Sequence, residues 1–384
     1  MAERFRPIFA QIAAGAIERE LGRELPIAEI ATLKQAGPGA LRIPEAEGGL
    51  GATLPELANI LIELSAADSN ITQALRGHFG FVEDVVNKSA GDSRKHWAQR
   101  MVRGEIAGNA WTEIGDAKQD VFSTRISNRG DRLVLNGTKY YTTGSLFADW
   151  IDVGATGLDG EGIVLQVRRD DPGVDVIDDW DGFGQTLTAS GTTIFTDATV
   201  DPDDVVVDDD KFRYGAAFYQ LVHLATLAGI GRAMANETAA AVAARKRSYS
   251  NAAGPRSSED PQVLQVVGRI RSNAYAAGAI VLQVAQAIER AYQAHFAGDT
   301  EAEEKANAIA ELETSQAVTV VTNLVLEAST IIFDALGASS TRKPINARTL
   351  SSHNPCIYKD RIVGDYAVNG TPPPCQWRIG HSPL

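Results

Sequence analysis

Three short segments of the sequence combine hydroxyl, amide and aromatic groups that could hold a flat aromatic cofactor. They are Gly108–Glu113 (GNAWTE), Asn136–Ser145 (NGTKYYTTGS) and Gly184–Phe195 (GQTLTASGTTIF). An isoalloxazine ring needs apolar packing and donors aimed at its ring nitrogens and carbonyls, and the second segment alternates such groups. Taken alone, that segment is more typical of a threonine-rich strand, so the interpretation depends on all three segments together.

The elements that must position these segments change in character twice along the chain. Up to about Gly104, apolar residues recur at spacings of three and four, which predicts helices. From about Asn109 to Val207, short Thr, Val and Ile runs broken by Gly, Asp and Asn predict a small β barrel or sandwich. Three long Ala- and Leu-rich stretches then predict an antiparallel helical bundle, at residues 214–249, 261–295 and 300–336. We therefore expect an α+β, mostly helical protein with an N-terminal helical domain (1–105), a middle β domain (106–212) and a C-terminal four-helix bundle with a terminal loop (213–384).

Local signals predict where some of these elements turn or begin. Arg129-Gly130-Asp131 predicts one hairpin turn, and Asn136-Gly137 predicts a second. Asp260 followed by Pro261 predicts the N-cap and first turn of the second long helix.

The order of the segments resembles the acyl-CoA dehydrogenase superfamily. In that superfamily a helical domain precedes a TE loop, a GxKxWxTN strand and a GxRxTxS segment around the flavin, and a helical bundle follows. Here the corresponding residues are TE at 112–113, GTKYYTTG at 137–144 and TASGTTIF at 188–195. By position, the resemblance implies that these residues contact the flavin: Asn109, Trp111, Thr112, Thr143, Trp180, Thr188, Ser190, Arg245 and Arg247.

The two arginines would hold the flavin phosphate of a neighbouring subunit. The planar fork of an arginine can bind phosphate oxygens in pairs. The alternative for Arg245 and Arg247 is a solvated basic helix end, which the helix dipole favours.

A dehydrogenase of this superfamily needs a carboxylate as general base, and the sequence does not provide one in the usual place. Residues 337–370 contain no glutamate, and the first long helix provides only Glu237 as an alternative. The same stretch contains Ser351-Ser352-His353-Asn354-Pro355, which resembles the two-component, group D flavin-dependent monooxygenases of the dibenzothiophene monooxygenase type that share this fold. Imidazole titrates near neutral pH, so it can donate or accept a proton beside a flavin hydroperoxide. The alternative is that His353 only caps a helix beginning near Pro355.

This second resemblance implies a reaction and its partners. A separate flavin reductase supplies reduced FMN, with FAD as an alternative. Molecular oxygen then gives a C4a-hydroperoxyflavin, which passes one oxygen atom to a small aromatic or heteroatom-containing substrate. His353, Thr143 and His78 are the implied catalytic residues, although Val82 stands where a related enzyme has a tyrosine, which puts that part of the pocket in doubt. The resemblance also implies a homotetramer, because the fold completes its flavin sites across subunits.

The substrate is expected to be uncharged, because the loops near His78 and Phe147 offer little to hold an anion. Two other functions stay open at this point, an FAD-dependent acyl-CoA dehydrogenase and a non-catalytic flavin-binding protein.

Composition excludes several other classes of protein. The 384 residues are 44% hydrophobic, which is enough to bury the cores of two or three domains. A net charge of −13 without a Lys/Arg run argues against a nucleic-acid partner. The most apolar stretch, residues 221–230, ends before Arg232 and is too short to span a bilayer, and no signal peptide is evident, so we expect a cytoplasmic protein without a membrane segment. Cys356 and Cys375 lack the spacing of a zinc site or a disulfide framework.

Overall fold

The N-terminal part of the chain is a cluster of six helices. The computed structural model describes residues 1–89, 91–114, 122–207, 212–246, 252–341 and 357–373. The helices are α1 (Arg6–Gly22), α2 (Ile27–Ala36), α3 (Leu54–Ala67), α4 (Ser69–Ala74), α5 (Arg76–Asn87) and α6 (Asp92–Val102). Helix α3 starts where the sequence dictates, because Thr53 and Glu56 form a reciprocal capping box ahead of an apolar run.

The middle of the chain forms a single curled sheet. Its strands are β1 (Ala107–Ala110), β2 (Arg125–Arg129), β3 (Arg132–Lys139), β4 (Trp150–Thr156), β5 (Gly162–Arg168), β6 (Val174–Ile177), β7 (Thr192–Val200) and β8 (Val206–Val207). The strand order is β6-β7-β3-β2-β4-β5-β8, and β1 pairs in parallel with β4. The predicted barrel or sandwich is therefore one sheet, whose central strand β4 is buried along its whole length.

One predicted turn is confirmed and the other is wrong. Arg129 pairs with Arg132 across a turn at Gly130, as the sequence indicated. Asn136-Gly137 does not turn the chain but lies within β3, at an irregularity in its pairing with β7. The Asn136 side chain exchanges two hydrogen bonds with Asp197, one to its backbone N and one to its carboxylate, so the segment is a bulge in a continuous strand.

The described residues of the C-terminal part form three long helices and a shorter one. They are α7 (Gly215–Ala244), α8 (Pro261–Ala297), α9 (Thr300–Leu336) and α10 (Ile357–Asn369), the last of which packs on α9. Asp260 caps α8 as predicted, because its carboxylate accepts from the backbone N of Gln262 and Val263. Helix α7 is apolar on most sides and lies in the centre, packed against α3, α8 and α9.

Helix α9 is long and apolar enough to cross a membrane by length and composition alone. Its buried residues, such as Val318, Val321 and Val325, belong to the same hydrophobic core as α7 and α8. It is therefore a core helix of the bundle.

Candidate active site

Two loops that meet at one end of the sheet bring three hydroxyl groups into a hydrogen-bonded chain. The pairing of Lys139 with Thr193 places the loop after β3 beside the loop before β7. Thr143 Oγ1 lies 2.7 Å from Ser190 Oγ, and Ser190 Oγ lies 2.7 Å from Thr188 Oγ1. The structure thus brings together the three hydroxyl residues that the sequence predicted for the flavin site.

The direction of this hydroxyl chain follows from counting protons. Thr188 donates its only hydroxyl proton to the carbonyl of Gln185, at 2.9 Å. Ser190 must then donate its only proton to Thr188, so it can only accept from Thr143. Thr143 donates to Ser190 at 2.7 Å and not to the carbonyl of Tyr141, which is farther away at 3.4 Å. The outer end of the chain, Thr143 Oγ1, is left with lone pairs that can accept a hydrogen bond from a ligand.

Residues with left-handed backbones flank the hydroxyl chain. Tyr141, Gln185 and Ala189 have φ values of 55°, 53° and 48°, and none of them is a glycine. Such conformations are costly for residues with a Cβ and are often retained where a loop serves a function. Gly144, with φ of 79°, packs so closely on the carbonyl of Ala74 that a side chain there would overlap it. The loops are thus held in place by the junction between α4 and α5.

Aromatic rings lie beside the same loops. Tyr141 and Phe183 are 52% and 73% exposed, and the Tyr141 ring meets the Trp180 ring edge-on with centroids 6.1 Å apart. Trp180 is half-buried and donates from Nε1 to the carbonyl of Gly184 at 3.2 Å. The region therefore offers flat apolar faces next to hydrogen-bonding groups, which is the combination that an isoalloxazine ring requires.

The first motif segment is anchored by polar contacts across the sheet. Trp111 Nε1 donates to Asp152 Oδ2 at 2.9 Å, and Gln166 Nε2 donates to the other carboxylate oxygen at 2.7 Å. The exposed Thr112 accepts at its backbone carbonyl from Tyr140 N, at 2.8 Å. Asn109 is half-buried in β1 and lies against Gly77 of α5. These contacts fix the backbone of the segment beside the end of β3.

A buried ion pair joins the first and second motif segments. Lys139 Nζ donates to Glu113 Oε1 at 2.8 Å and lies 3.6 Å from the centre of the Phe122 ring. Burial would raise the pKa of Glu113, but hydrogen bonds from Lys139, Ser123 and Thr124 outweigh it and hold the pKa at about 2. Burial lowers the pKa of Lys139 to about 8, although the ion pair opposes this change. The ammonium of Lys139 and the carboxylate of Glu113 bind each other, so the pair serves to position the first and second motif segments.

Of the two predicted catalytic residues that the structure describes, Thr143 and His78, the surroundings of His78 fit that role less well. It is 0% exposed, its Nε2 lies 2.9 Å from the carbonyl of Gly39, and its Nδ1 accepts from Ala107 N at 3.2 Å. Because Nδ1 accepts, the proton must be on Nε2, and both nitrogens are used by the backbone. Burial lowers the pKa of His78 to about 4, so the ring is neutral. The structure favours a structural role for His78 over the catalytic role expected from the sequence.

The buried His78 should make stability depend on pH. The unfolded imidazole has a pKa near 6.5 and the folded one a pKa of about 4, so stability is lost as the pH falls from about 6.5 towards 4. We expect the buried His78 to lower the free energy of unfolding by about 2 kcal/mol when the pH falls from about 7.5 to about 5. Urea unfolding measures this free energy at both pH values. The decrease of about 2 kcal/mol should be absent in His78→Gln. It should be present in His96→Gln, which replaces an exposed imidazole. Equal pH slopes for wild type and His78→Gln would contradict the assignment.

Comparisons with known proteins give this arrangement a place among known enzymes. Residues 1–105 match the family described as acyl-CoA dehydrogenase, N-terminal domain. A solved structure of TdsC from Paenibacillus sp. A11-2 with FMN and indole superposes with a TM-score of 0.85 at 23% identity, over 97% of this chain and 98% of that chain. The chain has the acyl-CoA dehydrogenase fold.

Relatives along nearly the full length narrow the assignment. Dibenzothiophene monooxygenase of Rhodococcus erythropolis is 25% identical, with 94% of this chain and 91% of the relative covered. The probable FMNH2-dependent monooxygenase SfnC of Pseudomonas putida is 23% identical, with 96% and 94% covered. These relatives place the chain in the flavin-dependent monooxygenase branch of the acyl-CoA dehydrogenase fold, which confirms the resemblance and fold class predicted from the sequence.

Two arginines of this flavin-dependent monooxygenase were predicted to hold the flavin phosphate, and the structure describes one of them, Arg245. Arg245 donates from Nη1 and Nη2 to the carbonyls of Ala335 and Leu336, at 3.2 and 2.7 Å. These carbonyls end α9, so within the chain Arg245 caps that helix, as basic residues at helix C-termini commonly do. Arg247 lies outside the described residues, and so does His353.

Sequence reasoning missed two features that this enzyme uses to build its site. Asp152 supports Trp111, and the signal for it was an acidic residue in the middle of the otherwise apolar strand WIDVGAT. Lys139 and Glu113 were both within the motif segments, but nothing in their spacing indicated that they pair.

Proposed function

We propose that this flavin-dependent monooxygenase uses reduced FMN, delivered by a separate flavin reductase, to transfer one atom of molecular oxygen to a small aromatic or heteroatom-containing substrate. The observation that carries the proposal is the hydroxyl chain that ends at Thr143 Oγ1 with free lone pairs. A reduced isoalloxazine carries an N–H at a ring position where the oxidised ring has a bare nitrogen. An acceptor at Thr143 therefore suits the reduced form.

The described residues fit FMN. Trp111, Tyr141 and Trp180 provide apolar faces, and Thr143 provides an acceptor for the ring. TdsC, which has the same fold, is known with FMN and indole, and SfnC is described as FMNH2-dependent. Reduced FMN, when bound, supplies the two electrons that activate oxygen.

The protein's own groups would then divide the work. The loops around Tyr141 and Ala189 hold the hydroxyl chain in one direction. The Glu113–Lys139 pair holds the first motif segment against the second. Trp111, fixed by Asp152, would lie beside the ring and limit access of water. His353 is proposed to hold and move the proton that oxygen transfer requires.

The dehydrogenase alternative is disfavoured by the position of its candidate base. Glu237 lies on an exposed part of α7, eighteen residues after Tyr219, which is about 27 Å along the helix. Tyr219 is at the end of α7 near the sheet, packed against Gly80 of α5. Among the described acids at the site, Glu113 and Asp152 are held by several donors each and are not placed to remove a substrate proton.

An oxygen-labelling assay tests the proposal. The protein is supplied with NADH, FMN, a flavin reductase and ¹⁸O₂, and dibenzothiophene and indole are the trial substrates. We expect a product that carries one ¹⁸O atom and forms only with the reductase present. Bleaching of bound FAD by an acyl-CoA without reductase would establish the dehydrogenase instead, and bound flavin without either reaction would establish a non-catalytic flavin protein. The homotetramer and the cytoplasmic location stay predictions, and gel filtration with light scattering tests the former.

Removal of the acceptor should affect one redox state of the flavin more than the other. Thr143→Val is expected to weaken binding of reduced FMN about tenfold, the usual value of one hydrogen bond, and to weaken oxidised FMN less. Anaerobic and aerobic fluorescence titrations measure the two affinities. Thr199→Val, which removes an exposed hydroxyl from β7, is the control and should change neither. Equal losses for both redox states would contradict the role of Thr143.

A further inference from the structure

Arg76 is a partly buried cation whose charge is not balanced by the described residues. Its Nε donates to the backbone carbonyl of Tyr219 at 3.1 Å, and its guanidinium lies over the Tyr219 ring, 5.2 Å from the centre. No carboxylate of the described residues lies within 4.0 Å of it. Its four other N–H donors make no hydrogen bond to the part of the chain that the structure describes.

Arg76 lies beside the candidate active site. The next residue, Gly77, packs on Asn109 so closely that a Cβ on it would be 2.6 Å from Asn109 Oδ1. Two residues before Arg76, the carbonyl of Ala74 presses on Gly144, next to Thr143. Arg76 therefore stands between α4 and α5, near β1 and the loop after β3 that carries Thr143.

The position of the guanidinium is fixed by the packing of α5 on α7. Tyr214 Oη donates to Glu83 Oε1 at 2.6 Å, and the Tyr219 hydroxyl packs directly against Gly80. Tyr219 thus holds Arg76 through its carbonyl and its ring at once. A long flexible side chain held in this way has already lost much of the conformational entropy that binding would otherwise cost.

A second unpartnered group lies close by. His223 Nε2, one turn after Tyr219 on α7, is buried and makes no hydrogen bond to the described residues. Burial lowers the pKa of His223 to about 4, and the charge of Arg76 acts on it in the same direction. The guanidinium of Arg76 is therefore close to a neutral ring but, within the described residues, has no carboxylate at ion-pair distance.

We infer that Arg76 binds the carboxylate of the substrate, so that the enzyme oxygenates an aromatic acid. This inference rests on the proposed function and names its substrate class. A guanidinium suits the task because its fork matches the two oxygens of a carboxylate. It reverses the expectation from the sequence that the loops near His78 and Phe147 offer little to hold an anion.

Calorimetric titration of the FMN-loaded protein with two ligands of equal size tests the inference. The probes are indole-3-carboxylate and indole-3-carboxamide, which differ in charge but scarcely in shape. We expect wild type to bind the carboxylate at least about thirtyfold more tightly than the amide, since hydrogen bonds to a charged group are the strong ones. Arg76→Met should bind the two equally. Arg213→Met, which removes a half-exposed arginine near the start of α7, should keep the wild-type preference.

Two results would overturn the inference. One is equal binding of the two probes by wild type, which needs no variant and so is independent of folding. The other is a carboxylate preference that survives in Arg76→Met, and Arg76→Gln serves if that variant does not fold. Calorimetry does not depend on turnover, so a clear carboxylate preference without any ¹⁸O product from indole-3-carboxylate, dibenzothiophene or indole would defeat the proposed function while the anion site remained.

Discussion

His353→Ala is expected to lower the rate of product formation about a hundredfold or more while changing the affinity for FMN about twofold at most. The physical reason is that a positioned general acid or base contributes a factor of this size, whereas one side chain outside the three motif segments contributes little to holding the cofactor. NADH oxidation should continue, and the electrons should appear as hydrogen peroxide. Product is measured by chromatography and peroxide by a peroxidase-coupled assay, both in the presence of the reductase.

A second substitution separates proton transfer from the alternative role as a helix cap. Asparagine caps helices well but does not titrate, so His353→Asn should be as inactive as His353→Ala. Full activity in His353→Asn would show that the residue acts as a cap. Undiminished product in His353→Ala would remove His353 from the reaction altogether. His96→Ala, at an exposed position, is the control for loss of an imidazole.

Regular elements were predictable where the sequence pattern itself fixes them. Helices α8 and α9 follow from long apolar periodicity, and the start of α8 follows from Asp260 and Pro261. Asn136-Gly137 was misleading because its local preference for a turn was overridden by pairing with β7, and Asp197 then satisfied the asparagine side chain.

The sequence predicted the hydroxyl residues of the candidate site, but it did not predict the environments of its ionisable residues His78 and Arg76. Thr143, Thr188 and Ser190 lie in motif segments, so resemblance alone placed them on the same site. The environments of His78 and Arg76 depend on contacts between elements far apart in the sequence. His78 is enclosed by Gly39 and Ala107, and Arg76 is held by Tyr219, and no spacing along the chain indicates either.

The Glu113–Lys139 pair gives the largest stability effect that we expect. Glu113→Gln should lower the free energy of unfolding by about 3–5 kcal/mol near neutral pH, because Lys139, which is 0% exposed, is left as an uncompensated buried charge. Urea unfolding measures the loss. Asp170→Asn breaks the ion pair of Arg168 and Asp170, whose side chains are both more than half exposed, and should cost less than about 1 kcal/mol.

The pH dependence of the Glu113→Gln effect is what identifies the buried charge. The pKa of Lys139 in wild type is about 8, below its ordinary value near 10.5, and loss of Glu113 removes the interaction that opposed the fall. When the pKa of a lysine is lower in the folded state than in the unfolded state, the free energy of unfolding falls as the pH falls from the unfolded pKa to the folded pKa. The same free energy is regained as the pH rises back to the unfolded pKa. Glu113→Gln should therefore be less destabilised at about pH 9 than at about pH 6.5. The double variant Glu113→Gln/Lys139→Met should recover most of the loss at both pH values, because it removes the charge itself. A loss that is the same at both pH values, or that Lys139→Met does not relieve, would mean that Glu113 acts through its bonds to Ser123 and Thr124 instead of through the buried ammonium.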